Sequence, residues 1–344
     1  MKKMRQIGIF KVILNKRLYI LLYCVFCFVV SYSQRKYTVK KDILLDSIRL
    51  SDPAILADKA SQMYYMTGTG GMLWKSKDLK FWEGPFHIAK TNPDSWMGQN
   101  PMIWAAELHQ YQNKYYYFAT FTNRNVTIDT VAGNVIERRA SHILFSNNAE
   151  GPYTPMEDET YLPANKPTLD GTFWVDKDEK PYMVYCYEWL QNGNGTIEKI
   201  ALKPDLSGSI GSGQLLFKAS DSPWSREKDE NGNNKPHKVT DGPYLFKTET
   251  GRLGMIWTSW IHNIYTQGVA YSKSGTLDGP WVQENEPITP PNFGHGMLFK
   301  TFNGKLLMAL HSHNKVDERT IRIPHLFEVD LTGDKIKVVK PFTP

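Results

Sequence analysis

Apolar and polar residues form short alternating runs along most of the chain. Stretches such as QMYYMTG, GMLWKS, SHILFSN and PYMVYCYEW are rich in aromatic and β-branched residues, and Gly, Asn, Asp and Pro separate them. This combination is typical of β-strands joined by tight turns. No apolar stripe at helical spacing extends far enough to predict a long amphipathic helix. The pattern therefore predicts an all-β protein.

A longer repeat overlies these strands. A Gly-Pro-aromatic step recurs at Gly84, Gly151 and Gly279, and each copy follows a strand that ends in Ser. A repeat of roughly 50 to 70 residues with about four short strands is typical of a β-propeller blade. Five strands begin at a distinctive turn, in LSDPAIL, PMIWAAELH, TLDGTFWV, VTDGPYLF and FGHGMLF. We therefore expect a five-bladed β-propeller that occupies residues 34–344 as a single domain.

The first 33 residues have the composition of a secretory signal peptide. They contain six basic residues and no acidic residue, and an apolar run over 18–30 precedes Ser31 and Ser33. The run of about 13 residues is shorter than the roughly 20 residues that a membrane span needs. We expect cleavage after residue 33 and a secreted or periplasmic protein without a membrane anchor; a retained anchor is the alternative.

Removing this segment changes the charge balance. The full chain has 41 basic and 35 acidic residues, but all six basic residues of the segment leave with it, so the remainder has 35 of each. No basic surplus is left to bind nucleic acid. Cys186 then has no cysteine with which to form an intramolecular disulfide or a metal site. Its apolar neighbours predict a buried thiol.

Three aspartates occupy the leading turns of three blades. Asp52, Asp170 and Asp241 open blades one, three and four, at positions that the sequence pattern makes equivalent. Each of them, taken singly, is also an ordinary turn residue. The inner strands of a propeller run side by side around the central channel, so their leading turns meet on one face. We therefore expect the three carboxylates at the mouth of one pocket.

The order of these motifs resembles glycoside hydrolase family 43. The resemblance is carried by SDPAILAD, WAAELHQYQNKYYYFATF, TLDGTFWVDKDEKPYMVYCYEW, VTDGPYLFKTETGRLGMIWTSW, QGVAYSKSGTLDGPW and FGHGMLFKTFNGKLLMALHSHN, which span nearly all of the chain after residue 33. It implies a five-bladed propeller enzyme that acts on arabinose- or xylose-containing glycans. It also implies that Asp52 is the catalytic base, that Asp170 modulates the pKa of the acid, and that Asp241 is the general acid where the family usually has Glu.

Three carboxylates in one pocket fit the chemistry of inverting glycoside hydrolysis. One carboxylate activates water and a second, protonated, gives its proton to the leaving oxygen, with about 6.5 to 9.5 Å between them. A third carboxylate raises the pKa of the acid by like-charge repulsion. Glu188 ends a strong strand of blade three and is a competing candidate for the acid or for an acceptor of sugar hydroxyls. A salt-bridged strand end is the alternative for Glu188.

Other residues near the leading turns have two interpretations each. For His295, between two glycines in FGHGML, the resemblance implies a central cation, often calcium, reached through water; a satisfied core histidine is the alternative. Calcium prefers oxygen ligands, so we expect no direct bond from His295. Trp104 and Trp189 are candidates to stack on sugar rings, and packing between blades is the alternative. We expect Glu107 to be structural.

Together these features predict a secreted, monomeric glycosidase that needs no cofactor for its chemistry. The expected activity is that of an exo-acting α-L-arabinofuranosidase. β-Xylosidase and endo-arabinanase activities of the same family remain alternatives, because the sequence does not define the linkage. A glycan-binding propeller without catalysis is an alternative of a different class, and the three leading-turn acids argue against it.

Overall fold

A computed structural model describes residues 37–316 and 319–344 of the protein. The expected signal peptide, residues 1–33, lies outside this part of the chain. Residues Val39–Pro344 form one compact unit. Within the described residues, no helix has both the length and the apolar character needed to cross a membrane.

The first blade is an antiparallel sheet of four strands with a fifth strand on its outer edge. The strands, numbered along the chain, are β1 (Lys40–Leu44), β2 (Ala54–Asp58), β3 (Met63–Thr67), β4 (Met72–Ser76) and β5 (Phe81–His87). Strand β2 is innermost, and β1 pairs with β5 at the rim. A short 3-10 turn, Leu45–Ser47, connects β1 to the leading turn of β2.

Blades two and three are four-stranded antiparallel sheets. Blade two consists of β6 (Met102–Tyr111), β7 (Lys114–Val131), β8 (Asn134–Ser146) and β9 (Thr154–Pro155). Blade three consists of β10 (Thr168–Val175), β11 (Pro181–Tyr187), β12 (Thr196–Leu202) and β13 (Ser209–Lys218). A one-turn helix, Trp189–Asn192, connects β11 to β12, and a 3-10 turn, Ala219–Asp221, follows β13.

Blades four and five complete the ring. The long loop before blade four contains a small hairpin of β14 (Arg226–Lys228) and β15 (Asn234–Pro236). Blade four consists of β16 (Asp241–Lys247), β17 (Leu253–Ile261), β18 (Ile264–Ser272) and β19 (Trp281–Gln283). Blade five consists of β20 (Phe293–Lys300), β21 (Leu306–Val316), β22 (Arg319–Asp330) and β23 (Lys337–Pro341). The innermost strands β2, β6, β10, β16 and β20 contact one another in cyclic order. The predicted five-bladed propeller is therefore confirmed.

Apolar side chains fill the wedge between each pair of neighbouring blades. Each wedge is a separate cluster of buried residues drawn from two blades. The five wedges are represented in order by Leu73 with Tyr117, Phe118 with Tyr185, Cys186 with Trp257, Ile256 with Met308, and Met66 with Leu307. Burying one such side chain contributes about 1.5 to 3 kcal/mol. Because the wedge between blades five and one is filled like the others, the packing closes the ring.

The Gly-Pro-aromatic repeat marks the fourth strand, counted outward from the innermost strand, of three blades. The bonds Gly84–Pro85, Gly151–Pro152 and Gly279–Pro280 are all cis. They lie within β5, just before β9 and just before β19, respectively. Proline removes a backbone donor and is therefore found at sheet edges. The repeat that predicted the blades thus corresponds to their fourth strands, which are edge strands in blades two and four, whereas in blade one β1 covers β5.

Candidate functional site

The leading turns of all five blades contribute to one pocket of about 460 Å³. Every residue that the sequence singled out for catalysis, sugar stacking or cation binding lines it: Asp52, Trp104, Asp170, Glu188, Trp189, Asp241 and His295. These residues come from positions almost 250 apart in the chain. The propeller brings them together because its inner strands all start on one face.

A left-handed residue occurs at the same point of the leading turn in every blade. In blade order these residues are Asp52, Ala105, Asp170, Gly242 and His295, with φ of 58°, 42°, 54°, 51° and 51°. In blades two to five the strand register shifts at this point, as in a β-bulge. A left-handed conformation costs a residue with a side chain about 1 to 2 kcal/mol. Neighbouring contacts must therefore hold these turns in place.

The left-handed residue that recurs in the five leading turns corrects one expectation about Asp241. The sequence places Asp241 at the position of Asp52 and Asp170, but it precedes that position by one residue. The left-handed position of blade four belongs to Gly242, which takes this conformation at no steric cost. Asp241 corresponds instead to Trp104 in blade two, which also directly precedes a left-handed residue.

The backbone N–H of each left-handed residue donates to a side chain of the preceding blade. The acceptors for Ala105, Asp170 and His295 are the hydroxyls of Thr69, Thr120 and Thr258, at 3.0, 2.8 and 2.8 Å. Asp52 donates to Nδ1 of His311 at 3.0 Å, and Gly242 donates to Oδ2 of Asp170 at 3.1 Å. These bonds join all five blades at the pocket, and they offset the cost of the left-handed turns.

The carboxylate of Asp52 is held on both oxygens. Its Oδ2 accepts a hydrogen bond from the hydroxyl of Thr69, and its Oδ1 lies 3.2 Å from Nδ1 of His295 and 3.4 Å from Nδ1 of His311. Burial lowers the pKa of His311 to about 4, so this imidazole is neutral at pH 7. Its Nδ1 is the acceptor for the Asp52 N–H, and its proton therefore lies on Nε2.

Asp241 forms an ion pair with His295. Its Oδ1 lies 2.7 Å from Nδ1 of His295, and its Oδ2 accepts a 2.8 Å hydrogen bond from the hydroxyl of Tyr265. Burial opposes ionisation of Asp241, but the charge of His295 and these two hydrogen bonds lower its pKa to about 2. Burial also disfavours the imidazolium of His295, yet the charges of Asp52 and Asp241 raise its pKa well above the usual range. Both partners are therefore charged at neutral pH.

Asp170 is the most buried of the three aspartates. Only 6% of it is exposed, and its Oδ2 accepts the Gly242 N–H. Burial raises its pKa well above the usual value; His295 opposes this effect, and Asp241 and Asp52 add to it. Asp170 is therefore the aspartate of this pocket that the environment drives toward its protonated form.

Glu188 lies directly after β11 and faces the same pocket. Nη1 of Arg139 lies 3.3 Å from both of its carboxylate oxygens, but the geometry of a hydrogen bond is met only at Oε1. Oε2 is buried and has no hydrogen-bond partner among the described residues. Burial raises the pKa of Glu188 to about 7; Arg139 opposes this shift and the charge of Asp241 reinforces it.

The two expected tryptophans differ in their surroundings. The guanidinium of Arg139 lies 4.6 Å from the ring centroid of Trp104, so one face of that ring is covered. Trp189 is 38% exposed at the start of the one-turn helix, and Nζ of Lys238 lies 5.6 Å from its ring centroid. Trp260 of β17 also lines the pocket. Trp189 thus offers the most exposed aromatic surface of the three.

Glu107 and Cys186 have the structural environments that the sequence predicted. Glu107 is buried outside the pocket, where its Oε2 lies 2.8 Å from Nε2 of His109 and accepts a 2.8 Å hydrogen bond from Thr172. Cys186 is fully buried in the wedge between blades three and four. Neither group is available to a ligand in the pocket.

The sequence pattern did not point to four pocket residues, Thr69, Trp260, Tyr265 and Arg322. Thr69 belongs to a signal that was present, because Thr69, Thr120 and Thr258 all follow aromatic segments near the second strand of a blade. Tyr265 and Trp260 are embedded in runs of aromatic residues that mostly fill wedges, so no local pattern separates them. Arg322 lies on the third strand of blade five, where no leading-turn motif occurs.

Asp170, Asp241 and His295 could together hold a cation. One ligand atom from each lies within 4.8 Å of the others. A cation bound directly by all three would have to replace the hydrogen bond between His295 and Asp241. A cation such as calcium, which prefers oxygen ligands, could reach this group through water and leave that bond intact.

Relatives of known structure share this fold. An endo-arabinase from Bacteroides thetaiotaomicron is 32% identical, with a TM-score of 0.71, over 89% of this chain and 98% of that one. An α-L-arabinofuranosidase from Lactobacillus brevis has a TM-score of 0.62 at 17% identity, over 88% of this chain and 100% of that one, which shows the fold alone.

Sequence comparison leads to the same family. An extracellular endo-α-(1→5)-L-arabinanase from Thermotoga petrophila is 25% identical over 296 residues, or 77% of this chain. The chain spans 58% of that relative's length. The model of the glycosyl hydrolases family 43 matches residues 46–334, which is most of the chain. The chain therefore belongs to glycosyl hydrolase family 43 and is a glycosidase.

Proposed function

We propose that the protein is an inverting hydrolase of α-L-arabinofuranosyl linkages in arabinan. As a family 43 glycosidase it acts on arabinose- or xylose-containing glycans. The 32% identity to an endo-arabinase over nearly the whole chain favours arabinan as the substrate. The observation that carries the reaction is the meeting of Asp52 with further carboxylic acids in one pocket.

Asp52 is the general base in this proposal. Its carboxylate lies in the pocket, oriented by Thr69 on one oxygen and by His295 on the other. From there it accepts a proton from a water molecule, whose oxygen attacks the anomeric carbon of the sugar. A second carboxylic acid on the other side of the bond protonates the leaving oxygen.

Asp170 has a supporting role. It is buried in the leading turn of blade three and accepts the N–H of Gly242, so it keeps the turn that carries Asp241 in place. Its carboxyl group adds negative potential next to the other acids whenever it ionises. His295 neutralises part of the charge of Asp52 and Asp241. The reaction needs no cofactor, and a calcium ion near His295, bound through water, would add positive charge to the same group.

The two modes of cleavage are supported by different observations. The relationship to endo-arabinases favours attack inside the arabinan chain. The exo mode fits the position of the long β7–β8 hairpin, which contacts the one-turn helix that begins at the pocket residue Trp189. Gln191 of this helix donates to Asp129, near the far end of the hairpin, at 2.8 Å. A hairpin in this place would restrict how far a glycan chain extends past Trp189.

The test is the product profile of the protein on linear arabinan, arabinoxylan and p-nitrophenyl glycosides of α-L-arabinofuranose and β-D-xylose. Oligosaccharides as early products from arabinan identify the endo mode, and arabinose alone identifies the exo mode. Proton NMR should show the inverted anomer first. A retained anomer would contradict the mechanism, and binding of arabinan without hydrolysis would identify a glycan-binding propeller.

A further inference from the structure

We propose that Glu188, and not Asp241, gives the proton to the leaving oxygen, and that Arg139 positions Glu188 for this step. The inference rests on the proposed hydrolysis, and it assigns the acid of that same site. It moves the acid from the leading turn of blade four, where Asp241 lies, to the end of the second strand of blade three.

Asp241 is poorly placed and poorly suited to donate a proton. Both of its oxygens are occupied, Oδ1 by Nδ1 of His295 and Oδ2 by the hydroxyl of Tyr265. The Oδ1 atoms of Asp241 and Asp52 lie 2.7 and 3.2 Å from the same imidazole nitrogen. These oxygens are therefore closer together than the about 6.5 to 9.5 Å that an inverting enzyme leaves between acid and base. The ion pair with His295 also keeps the Asp241 carboxyl ionised.

Glu188 has the features that Asp241 lacks. Its side chain is 15% exposed and lines the pocket. Oε1 accepts the hydrogen bond from Arg139, whereas Oε2 is buried without a partner among the described residues. A proton on Oε2 has no acceptor among the described residues, and a turn of the carboxyl group toward the pocket would bring this proton to a glycosidic oxygen. Burial raises the pKa of this carboxyl to about 7, so much of it is protonated at neutral pH.

Asp241 then serves Glu188 through its charge. The negative charge of Asp241 is one of the causes that raise the pKa of Glu188. Its own pKa is lowered, so it stays ionised while Glu188 holds a proton. When the environment pushes the pKa values of two acids apart, the acid with the raised pKa can donate a proton and the acid with the lowered pKa supplies negative charge.

Arg139 is the positioning residue. Its guanidinium lies over the ring of Trp104, with 4.6 Å to the centroid, and Nη1 reaches Glu188. Arg139 belongs to β8 of blade two, so it links the acid of blade three to a neighbouring blade. Only 10% of its side chain is exposed, which limits its freedom. It fixes Oε1 and so leaves Oε2 as the oxygen that carries the proton.

Transfer of the Glu188 proton accompanies cleavage of the glycosidic bond. The bond between the anomeric carbon and the leaving oxygen breaks, its electron pair stays on that oxygen, and the proton of Glu188 transfers to it. The oxygen of a water molecule forms the new bond to the anomeric carbon, and a proton of this water transfers to Asp52. Glu188 ends ionised and Asp52 ends protonated, and exchange with solvent restores both.

Leaving-group dependence separates the two candidate acids. A general acid matters for a poor leaving group such as a sugar and little for dinitrophenol. Glu188→Gln should lower kcat/KM on arabinan by about 10²- to 10⁴-fold and on 2,4-dinitrophenyl α-L-arabinofuranoside by less than about tenfold. Asp241→Asn should lower kcat/KM on both substrates by a similar factor, because it disturbs His295 and removes the negative charge near Glu188. Glu159→Gln, the same change at an exposed residue, is the control and should match wild type on both.

The opposite pattern overturns the proposal. It would consist of a selective loss on arabinan for Asp241→Asn and a parallel loss on both substrates for Glu188→Gln. Glu188→Ala is the second variant in case Glu188→Gln does not fold, and the same ratio is expected for it. If the wild-type protein cleaves neither substrate, the proposed function is wrong. The protonation of Glu188 is then tested by the pH dependence of the urea midpoint.

Stability provides a test that does not depend on activity. The pKa of Glu188 is higher in the folded protein than in the unfolded chain, where it is near 4.5. Below about pH 4.5 the carboxyl is protonated in both states, so its raised pKa does not lower the free energy of unfolding there. Between about pH 4.5 and 7 the unfolded chain loses this proton while the folded protein keeps it, so the free energy of unfolding falls as the pH rises. Above about pH 7 both states are ionised and the loss is complete. The urea midpoint of wild type relative to Glu188→Gln should therefore fall between about pH 4.5 and 7. A difference that is independent of pH over this range means that Glu188 holds no proton near neutrality, and the proposal is then wrong.

Discussion

Nδ1 of His295 lies 2.7 Å from Oδ1 of Asp241 and joins the leading turns of blades four and five by an ion pair. The imidazolium also lies 3.2 Å from Asp52 in blade one. The imidazolium of blade five thus pairs with two carboxylates, one from blade one and one from blade four, and it compensates negative charges that would otherwise repel each other at close range. This arrangement is the electrostatic centre of the pocket.

Removing the hydroxyl that faces Asp241 should lower stability. Tyr265→Phe deletes the 2.8 Å hydrogen bond to an ionised carboxylate. Hydrogen bonds to charged groups contribute about 1.5 to 3 kcal/mol, so we expect a loss of that size in the free energy of unfolding, measured in urea at pH 7. Tyr244→Phe is the control, because the hydroxyl of Tyr244 donates to the carbonyl of Leu298, which is neutral. A hydrogen bond to a neutral acceptor contributes about 0.5 to 1.5 kcal/mol. Equal losses in the two variants would argue against a charged Asp241.

A methyl group on Gly242 should damage the site itself. Gly242 is left-handed, and an added Cβ would lie 2.7 Å from Cγ of His295. The left-handed conformation alone costs about 1 to 2 kcal/mol, and the imidazole must also move. Gly133→Ala adds the same methyl at a left-handed glycine with no atom within 4 Å. We expect similar backbone costs in urea titrations but a fall in kcat only for Gly242→Ala; equal kcat values would mean that the position of His295 is unimportant.

Replacing the proposed base should stop turnover and spare binding. Asp52→Asn keeps the backbone N–H that donates to His311 and an oxygen that can accept from Thr69. Only the group that takes the proton from water is lost, so kcat should fall by about 10²- to 10⁴-fold. Calorimetry with an arabino-oligosaccharide should give a Kd near that of wild type. Activity close to wild type on arabinan would remove Asp52 from the mechanism.

Neutralising the positioning arginine should move the pH profile. Arg139 lowers the pKa of Glu188, so Arg139→Gln should raise that pKa and shift the basic limb of kcat/KM to higher pH. Arg138→Gln is the matched control, because Arg138 is adjacent but stacks over Trp96, outside the pocket, at 5.2 Å from the ring centroid. The control profile should coincide with that of wild type. A shift to lower pH for Arg139→Gln would contradict the role of Glu188 as the protonated acid.

The fold and the location of the site could be predicted because they depend on local, repeated features. The alternating strand pattern, the Gly-Pro step and the leading turn are each defined by a few consecutive residues, and each recurs along the chain. They predicted the propeller, and the propeller then placed Asp52, Asp170, Asp241 and His295 together. The repeated threonines at 69, 120 and 258 were a further local signal of the same kind, and their role became evident only from the hydrogen bonds that they accept.

The division of work among the acids depended on contacts between residues far apart in the chain. The one-residue offset of Asp241 follows from the left-handed Gly242 and the register shift behind it, which strand patterning does not encode. The protonation of Glu188 depends on its burial, on Arg139 from another blade and on Asp241. By itself, then, the sequence determined the strands, the blades and which acids meet in the pocket, because these follow from short-range patterns. Only the tertiary structure decided which acids are charged and which is paired, because a pKa is determined by every charge and every desolvated group packed around it.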